Sequence, residues 1–120
     1  NDLGGSRDGV ATANSLIESY KVMIRKAHEK GIKIYGGTIM PFKGNGYYNE
    51  SREMGRQMVN AWIRTSGEFD GVIDFDAATR DAEQPDRLNP DFLFENDWLH
   101  PNASGYRTMG EAIDLKLFEK

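Results

Sequence analysis

An aspartate and a histidine three residues apart have the spacing in this sequence that best suits acid–base chemistry. Asp97 and His100 occur in the stretch DWLHPN, just before a segment in which apolar residues recur at helical spacing. A carboxylate that accepts the Nδ1 proton of an imidazole fixes its tautomer and stabilises the imidazolium, as in a catalytic dyad. The two side chains can meet if the backbone turns between them. By itself, the pair is equally compatible with a structural role.

A histidine base needs a nucleophile within hydrogen-bond reach, and the serines of this sequence are poor candidates. They are Ser6, Ser15, Ser19, Ser51, Ser66 and Ser104. None follows Gly-Asp or stands in a Gly-x-Ser-x-Gly context, and four lie on or against predicted helices. Ser6 and Ser104 are the ones that could approach the turn, and Ser104 fits better in the first turn of a helix. We therefore expect the nucleophile to be absent from these residues.

The composition is typical of one folded domain and excludes several partners. The chain has 120 residues, of which 38% are hydrophobic and 28% charged, which is the balance of a globular protein. A net charge of −4 offers no basic surface, so we expect no nucleic acid partner. No apolar run is long enough to span a bilayer. The absence of cysteine excludes disulfides, thiolate metal sites and a cysteine nucleophile.

Hydrophobic periodicity predicts alternating helices and strands. Residues 1–12 are predicted to form a loop. The predicted elements are a helix over 13–30, a strand over 32–39, a helix over 50–65, a strand over 72–76, a short helix and long loop over 77–94, and a last helix over 103–118 capped by Asn102. The side chains predicted to face inward are Leu16, Ile17, Tyr20, Met23, Ile24 and Ala27, then Met54, Met58, Val59, Trp62 and Ile63, and finally Met109, Ala112, Ile113, Leu117 and Phe118.

This order of elements predicts an α/β fold that needs more strands than the chain supplies. Two strands joined through a helix form a parallel pair with a right-handed crossover. Parallel sheets are covered by helices on both faces, and two strands cannot shield three long amphipathic helices. The sequence also starts at Asn1 without a methionine or signal peptide. We therefore expect residues 1–120 to be the C-terminal portion of a single α/β domain. No localisation signal can be read in these residues, and we expect a secreted or periplasmic location.

Two blocks of this sequence resemble those of the SGNH, or GDSL-type, hydrolases. Residues 97–102, followed by a helix, resemble the last block of that family. Asn1 and Asp2 resemble the end of its Gly-x-Asn-Asp block, and the roughly one hundred residues between the blocks, with two αβ units, are similar to the family's spacing. The stretches GGTIMPF and FDGVIDFD are also similar to those of bacterial members. The resemblance covers the whole chain.

The resemblance implies a three-layer α/β/α sandwich of flavodoxin-like build with a parallel sheet, and a serine esterase or acylhydrolase activity. It implies that His100 is the general base, Asp97 its orienting acid and Asn1 a donor to the oxyanion hole. The family's Gly-Asp-Ser block has no match here, so we expect the serine upstream and residues 1–120 alone to be inactive. No metal or organic cofactor is implied. The expected partners are a small-molecule or carbohydrate ester and the missing N-terminal part of the same domain.

Further candidates and two rival functions remain open at this point. Tyr47 and Tyr48 are candidates for lining a substrate pocket. One rival is a non-catalytic α/β module that binds carbohydrate or protein, in which Asp97 and His100 only brace a turn. The other rival is a metal-assisted hydrolase that uses Asp74 and Asp76 together with Asp97 and His100. His28, at the end of the first predicted helix, is expected to be a surface residue.

Overall fold

The computed structural model describes residues 1–119, which alternate between helices and strands as the sequence predicts. The longer elements are α1 (Gly9–Glu29), β1 (Tyr35–Gly37), α2 (Glu50–Thr65), β2 (Gly71–Ile73), α3 (Phe75–Thr79) and α4 (Ala103–Glu111). Single 3-10 turns occupy Pro90–Phe92 and Leu115–Phe118. Within residues 1–119, no helix is both long and apolar enough to cross a membrane.

The sheet consists of β1 and β2, which pair in parallel across the α2 crossover, as predicted. Tyr35 lies opposite Gly71 and Gly37 opposite Ile73. Both strands are shorter than predicted. Ile32 remains exposed ahead of β1. Asp74 ends β2 because its carboxylate accepts the Ala77 N–H and so becomes the N-cap of α3.

The core lies between α1 and α2. Buried Ala13, Val59 and Ile63 form its centre, and the partly buried side chains around them are Leu16, Tyr20, Ile39, Met58, Trp62 and Phe69. The two helices approach closely at glycine positions, since a Cβ atom added to Gly55 would stand 2.3 Å from the Gly9 carbonyl oxygen. Small side chains at this crossing allow the larger core residues of the two helices to interlock.

Helix α1 starts earlier than predicted and α4 ends earlier. Asp8, inside the predicted loop, caps α1 by accepting the Ala11 N–H at 3.0 Å. The last predicted helix runs only to Glu111, and Asp114 then caps a separate 3-10 turn through the Lys116 N–H. An aspartate that accepts a nearby backbone N–H begins a new helical segment, so Asp8 starts α1 early and Asp114 starts a separate turn in place of a continuous helix.

Three side chains predicted to face inward are largely exposed. The exposed fractions are 54% for Met23, 58% for Met54 and 56% for Phe118. The buried side of α2 includes Gly55, Val59 and Ile63, which recur every four residues and leave Met54 beside the stripe rather than in it. Phe118 packs against the Tyr35 ring in a T-shaped arrangement, with 5.3 Å between the ring centroids.

Two buried polar side chains of α2 hold the end of β1. Asn60 accepts the Ile39 N–H at 2.7 Å and donates to the Ile39 carbonyl at 2.8 Å. Arg56 donates to the same carbonyl at 3.1 Å. Both side chains are fully buried, so these bonds satisfy backbone groups that would otherwise lose water without replacement. They fix the chain where it leaves the carboxyl edge of the sheet.

Candidate active site

The acid–base pair lies in a loop closed by backbone contacts just before α4. Leu93 bridges to Pro101, and the Phe94 N–H donates to the His100 carbonyl at 3.0 Å. Asn102 then caps α4, as predicted, by accepting the Gly105 N–H at 2.9 Å. These contacts fix both ends of the loop, so the segment from Phe94 to His100 must fold back on itself.

Asp97 and His100 are in direct contact through their side chains. Asp97 Oδ2 lies 2.6 Å from His100 Nδ1, a short distance that is typical of a charge-assisted hydrogen bond. The other oxygen, Oδ1, accepts the backbone N–H groups of Leu99 and His100, each at 2.8 Å. Both oxygens of the carboxylate are therefore used, one to shape the turn and the other to orient the imidazole.

These contacts favour the ionised carboxylate. The backbone N–H of His100 contributes most to lowering the pKa of Asp97 below its ordinary value of 3.8. Partial burial opposes this shift, whereas the Leu99 N–H and the His100 ring reinforce it. A carboxylate that stays charged can accept the Nδ1 proton, which leaves Nε2 of the 62% exposed imidazole as the nitrogen free to take a proton.

Three residues of this loop adopt left-handed backbone angles without being glycine. Glu95, Asn96 and Trp98 have φ values of 48°, 57° and 55°. Such conformations cost on the order of 1–3 kcal/mol each and persist where the surroundings enforce them. At Trp98 the surroundings are the Arg87 guanidinium, 5.2 Å from the ring centroid, and the backbone of Gly44, where an added Cβ would stand 2.6 Å from Trp98 Cγ.

A cleft of about 380 Å³ opens beside His100 and brings together residues that are distant in the sequence. Asn1, Tyr47, Leu99 and His100 all line it. The rest of its lining is mostly apolar and consists of Asp2, Leu3, Gly4, Leu16, Tyr20, Ile39, Met40 and Phe42. Met40 and Phe42 follow directly on β1, so the cleft lies at the carboxyl edge of the sheet, where open α/β folds bind ligands.

The family model described as the GDSL-like Lipase/Acylhydrolase family matches residues 1–108. The chain belongs to this family. The match covers the cleft, the Asp97–His100 pair and the first part of α4. The predicted SGNH-type fold is confirmed as a partial α/β fold. No curated protein matches the chain.

Two crystal structures show the same GDSL-like fold. A candidate acylhydrolase from Bacteroides fragilis NCTC 9343 has 19% identity and a TM-score of 0.68, over 98% of this chain and 57% of that protein. A GDSL-like lipase from Bacteroides thetaiotaomicron VPI-5482 has 20% identity and a TM-score of 0.69, over 98% of this chain and 58% of that protein. The chain thus spans less than three fifths of each of these relatives.

Of the two tyrosines predicted to line a pocket, the structure brings Tyr47 to the cleft and gives Tyr48 other neighbours. The Tyr47 ring lies against Gly4, where an added Cβ would stand 2.3 Å from Tyr47 Cδ2. Its hydroxyl lies 3.5 Å from Asn1 Oδ1. Tyr48 instead faces the Lys43 ammonium group, 5.6 Å from its ring centroid, and is not among the residues that form the cleft.

The aspartates of the metal-assisted alternative are engaged by arginines. Arg64 binds both oxygens of Asp74 at 2.8 Å, which is the main reason that the pKa of Asp74 is well below its usual range. The fully buried Asp76 accepts from Arg56, Arg64 and Arg80 at 2.8, 2.7 and 3.2 Å. Among residues 1–119, no group of three or more His, Cys, Asp or Glu side chains is arranged to hold a metal ion.

A second histidine–aspartate pair lies at the opposite edge of the sheet. His28 Nε2 stands 2.8 Å from Asp70 Oδ2, and the same oxygen accepts the Ile34 N–H at 2.8 Å. Ile34 and Asp70 immediately precede β1 and β2, so this pair ties the amino ends of both strands to the end of α1. His28 lies at the surface, as predicted, but its contact with Asp70 was not predicted.

Asn45, which was not predicted as a site residue, joins the loop after β1 to the turn of Asp97 and His100 through its side chain. Its Nδ2 donates to the Asp97 carbonyl at 2.7 Å, and its Oδ1 accepts the Tyr47 N–H at 3.0 Å. The Gly44-Asn45-Gly46 sequence signals a turn, but the contact with Asp97 spans 52 positions. Local patterns hold no information about such a contact.

Proposed function

We propose that this chain contributes the base, the orienting acid and an oxyanion donor to a carboxylic ester hydrolase that acts through a Ser-His-Asp triad. The observation that carries the proposal is the 2.6 Å contact between Asp97 Oδ2 and His100 Nδ1, made at the rim of a cleft that Asn1 also lines. Membership in the GDSL-like family supports the same chemistry. The pair at His28 and Asp70 lines a smaller pocket of about 280 Å³ that contains neither Asn1 nor His100.

In the proposed mechanism, Nε2 of His100 accepts the proton of a serine hydroxyl as that oxygen attacks the ester carbonyl. Asp97 stabilises the resulting imidazolium through Nδ1. The side-chain amide of Asn1 donates to the oxyanion of the tetrahedral intermediate, an interaction for which the loss of one donor costs about 10²–10³ in rate. His100 then protonates the leaving alcohol. Water, deprotonated by His100, releases the acid and restores the serine.

We propose that the nucleophilic serine lies outside these 120 residues. None of the six serines stands after Gly-Asp, and the hydroxyl of Ser51 is engaged in accepting the Gly9 N–H at 2.9 Å. The relatives of known structure are longer, since the chain spans 57% and 58% of their lengths. Residues 1–120 alone are therefore proposed to be inactive.

The lining of the cleft supports a substrate with an apolar acyl group. Its lining includes the apolar side chains of Leu3, Leu16, Met40, Phe42 and Leu99, and burial of apolar groups against such a surface is favourable by about 25 cal/mol per Å². Tyr47 and Asn1 add polar groups at one side of the cleft. We propose a small-molecule or carbohydrate ester as the substrate.

The triad is tested by labelling the complete gene product with a fluorophosphonate, which reacts covalently with an activated serine. We expect one labelled serine, in a Gly-Asp-Ser sequence outside residues 1–120, located by peptide mass spectrometry. Because His100 activates that serine, His100→Ala abolishes labelling. The matched control is His28→Ala, which removes a histidine that also contacts an aspartate and leaves labelling unchanged.

Two results would overturn the proposal. Labelling of a serine within residues 1–120 would refute the placement of the nucleophile. Labelling that survives in His100→Ala at the wild-type rate would refute the role of His100 as the base.

A further inference from the structure

The backbone that presents the acid–base pair needs a support from outside its own loop. Three of the residues from Glu95 to Trp98 have positive φ values although none is glycine. A strained segment of this kind relaxes unless its surroundings hold it. The surroundings that contact it come from the loop after β1 and from Arg87.

The side chain at Trp98 is held by two neighbours. The Arg87 guanidinium lies 5.2 Å from its ring centroid, and Arg87 is itself fixed by Asp81, whose Oδ2 lies 2.8 Å from Nε and 2.7 Å from Nη2. Gly44 lies so close to Cβ and Cγ of Trp98 that a side chain at position 44 would not fit. These contacts position the indole but do not bind the backbone of the adjacent Asp97.

The backbone of Asp97 is bound by Asn45. Asn45 Nδ2 donates to the main-chain carbonyl of Asp97 at 2.7 Å. The side chain of the same residue carries the carboxylate that orients His100. The Asn45 backbone is also held, since its N–H donates to the Phe42 carbonyl at 3.1 Å and its carbonyl accepts the Tyr48 N–H at 3.0 Å. The donor is thus anchored in a turn of its own.

The same amide reaches the other side of the cleft. Asn45 Oδ1 accepts the Tyr47 N–H at 3.0 Å, and the Tyr47 ring packs on Gly4 beside Asn1. One side chain therefore joins the turn of Asp97 and His100 to the residue that contacts Asn1. We infer that Asn45 is a positioning residue that sets the Asp97–His100 geometry relative to the oxyanion side of the cleft. This inference rests on the proposed function.

The inference is tested with Asn45→Ala and Asn45→Asp in the complete gene product. The alanine variant loses both side-chain bonds, whereas the aspartate variant keeps an acceptor for the Tyr47 N–H and loses the donor to Asp97. Because misplacement of a catalytic group by about 1 Å costs on the order of 10²-fold in rate, we expect kcat for p-nitrophenyl acetate to fall about tenfold to a hundredfold in both variants. KM should stay within about twofold, since substrate contacts are kept.

A spectroscopic measurement separates positioning from a general loss of stability. The Nδ1 proton in the short Asp97–His100 hydrogen bond gives a low-field proton NMR resonance. We expect this resonance to weaken or disappear in both Asn45 variants while their far-UV circular dichroism stays native. The control is Asn14→Ala, which alters an exposed side chain on α1 and leaves both kcat and the resonance unchanged.

The outcomes distinguish this inference from the proposed function. Wild-type kcat and a wild-type resonance in Asn45→Ala would overturn the positioning role while leaving the triad intact, provided that His100→Ala is inactive. Full recovery in Asn45→Asp alone would also overturn it, because the Tyr47 turn rather than the bond to Asp97 would then be responsible. Activity in His100→Ala would instead refute the proposed function itself.

Discussion

Asp97 uses its two carboxylate oxygens for two different tasks. Oδ1 closes the turn by accepting the Leu99 and His100 N–H groups, and Oδ2 faces the imidazole. The turn is therefore built by the same residue that orients the His100 imidazole, so a change at Asp97 alters both contacts together. Hydrogen bonds to a charged acceptor are about twice as strong as neutral ones, so ionised Asp97 stabilises the turn most.

This arrangement predicts a specific pH dependence of stability. The pKa of Asp97 is lowered in the folded state, chiefly by the His100 N–H. The ionised carboxylate therefore stabilises the fold above about pH 4, and this stabilisation is lost as the pH falls through the lower pKa of the folded protein. Asp97→Asn cannot ionise. We expect it to lower the free energy of unfolding by about 1 kcal/mol at pH 7 and by progressively less below about pH 4, measured by urea denaturation at a series of pH values.

A constant difference between wild type and Asp97→Asn across that range would contradict the assignment of the lowered pKa to Asp97. A difference that grows at acid pH would give the wrong sign, because a lowered pKa in the folded state stabilises only the ionised form.

Among single residues, only part of the candidate site could be predicted from the sequence. The spacing of Asp97 and His100 allows their side chains to meet if the backbone turns, and the structure contains that turn. Asn1 and Tyr47 reach the same cleft through tertiary packing, and the family resemblance gave Asn1 its expected role beside His100. Asn45 could not be found, because its amide selects a carbonyl group in a loop that is distant in the chain.

Among the elements, the crossing of α1 and α2 determines how closely the core can pack. Gly55 faces the Gly9 carbonyl with no room for a Cβ, whereas Gly110, in α4, has no atom within 4 Å of such a Cβ. The same substitution should therefore have opposite effects at these two helical glycines.

We expect Gly55→Ala to lower the free energy of unfolding by about 1–3 kcal/mol, because the helices must separate to accept the methyl group. Gly110→Ala should raise the free energy of unfolding by up to about 1 kcal/mol, because alanine is the better helix former. Urea denaturation of the two variants beside the wild type measures both effects. Equal effects at Gly55 and Gly110 would show that the α1–α2 crossing is looser than described.

The bounds of α2 were predicted correctly, whereas both strands were predicted too long, and each outcome has a physical reason. The bounds of α2 match the prediction because Asn49 caps it and a continuous apolar stripe marks its inner side. The strands were predicted too long, because backbone pairing depends on the neighbouring strand, and β1 and β2 face each other over only three residues. Phe118 was wrongly predicted to face inward on the last helix. That helix ends at Glu111, and Asp114 caps a separate turn that contains Phe118.

In the molecule as a whole, the two edges of the sheet carry different groups of side chains, each of which includes one histidine. At the carboxyl edge, the cleft collects Asn1, Tyr47 and His100. At the amino edge, His28 and Asp70 connect α1 to the start of β1. The GDSL-like family assignment fits the first edge, because ligands of α/β sheets bind where parallel strands end. That residues 1–120 form the C-terminal portion of one domain stays a prediction.

We propose that His100 is the base of an ester hydrolase. The pairs Asp97–His100 and His28–Asp70 allow a direct test. The measurement is kcat/KM for p-nitrophenyl acetate with the complete gene product, His100→Ala and His28→Ala. Loss of a triad base lowers the rate by several orders of magnitude, so we expect at least about a 10³-fold decrease for His100→Ala and a wild-type value for His28→Ala. Equal activities of the two variants would contradict the assignment of the acid–base pair to Asp97 and His100.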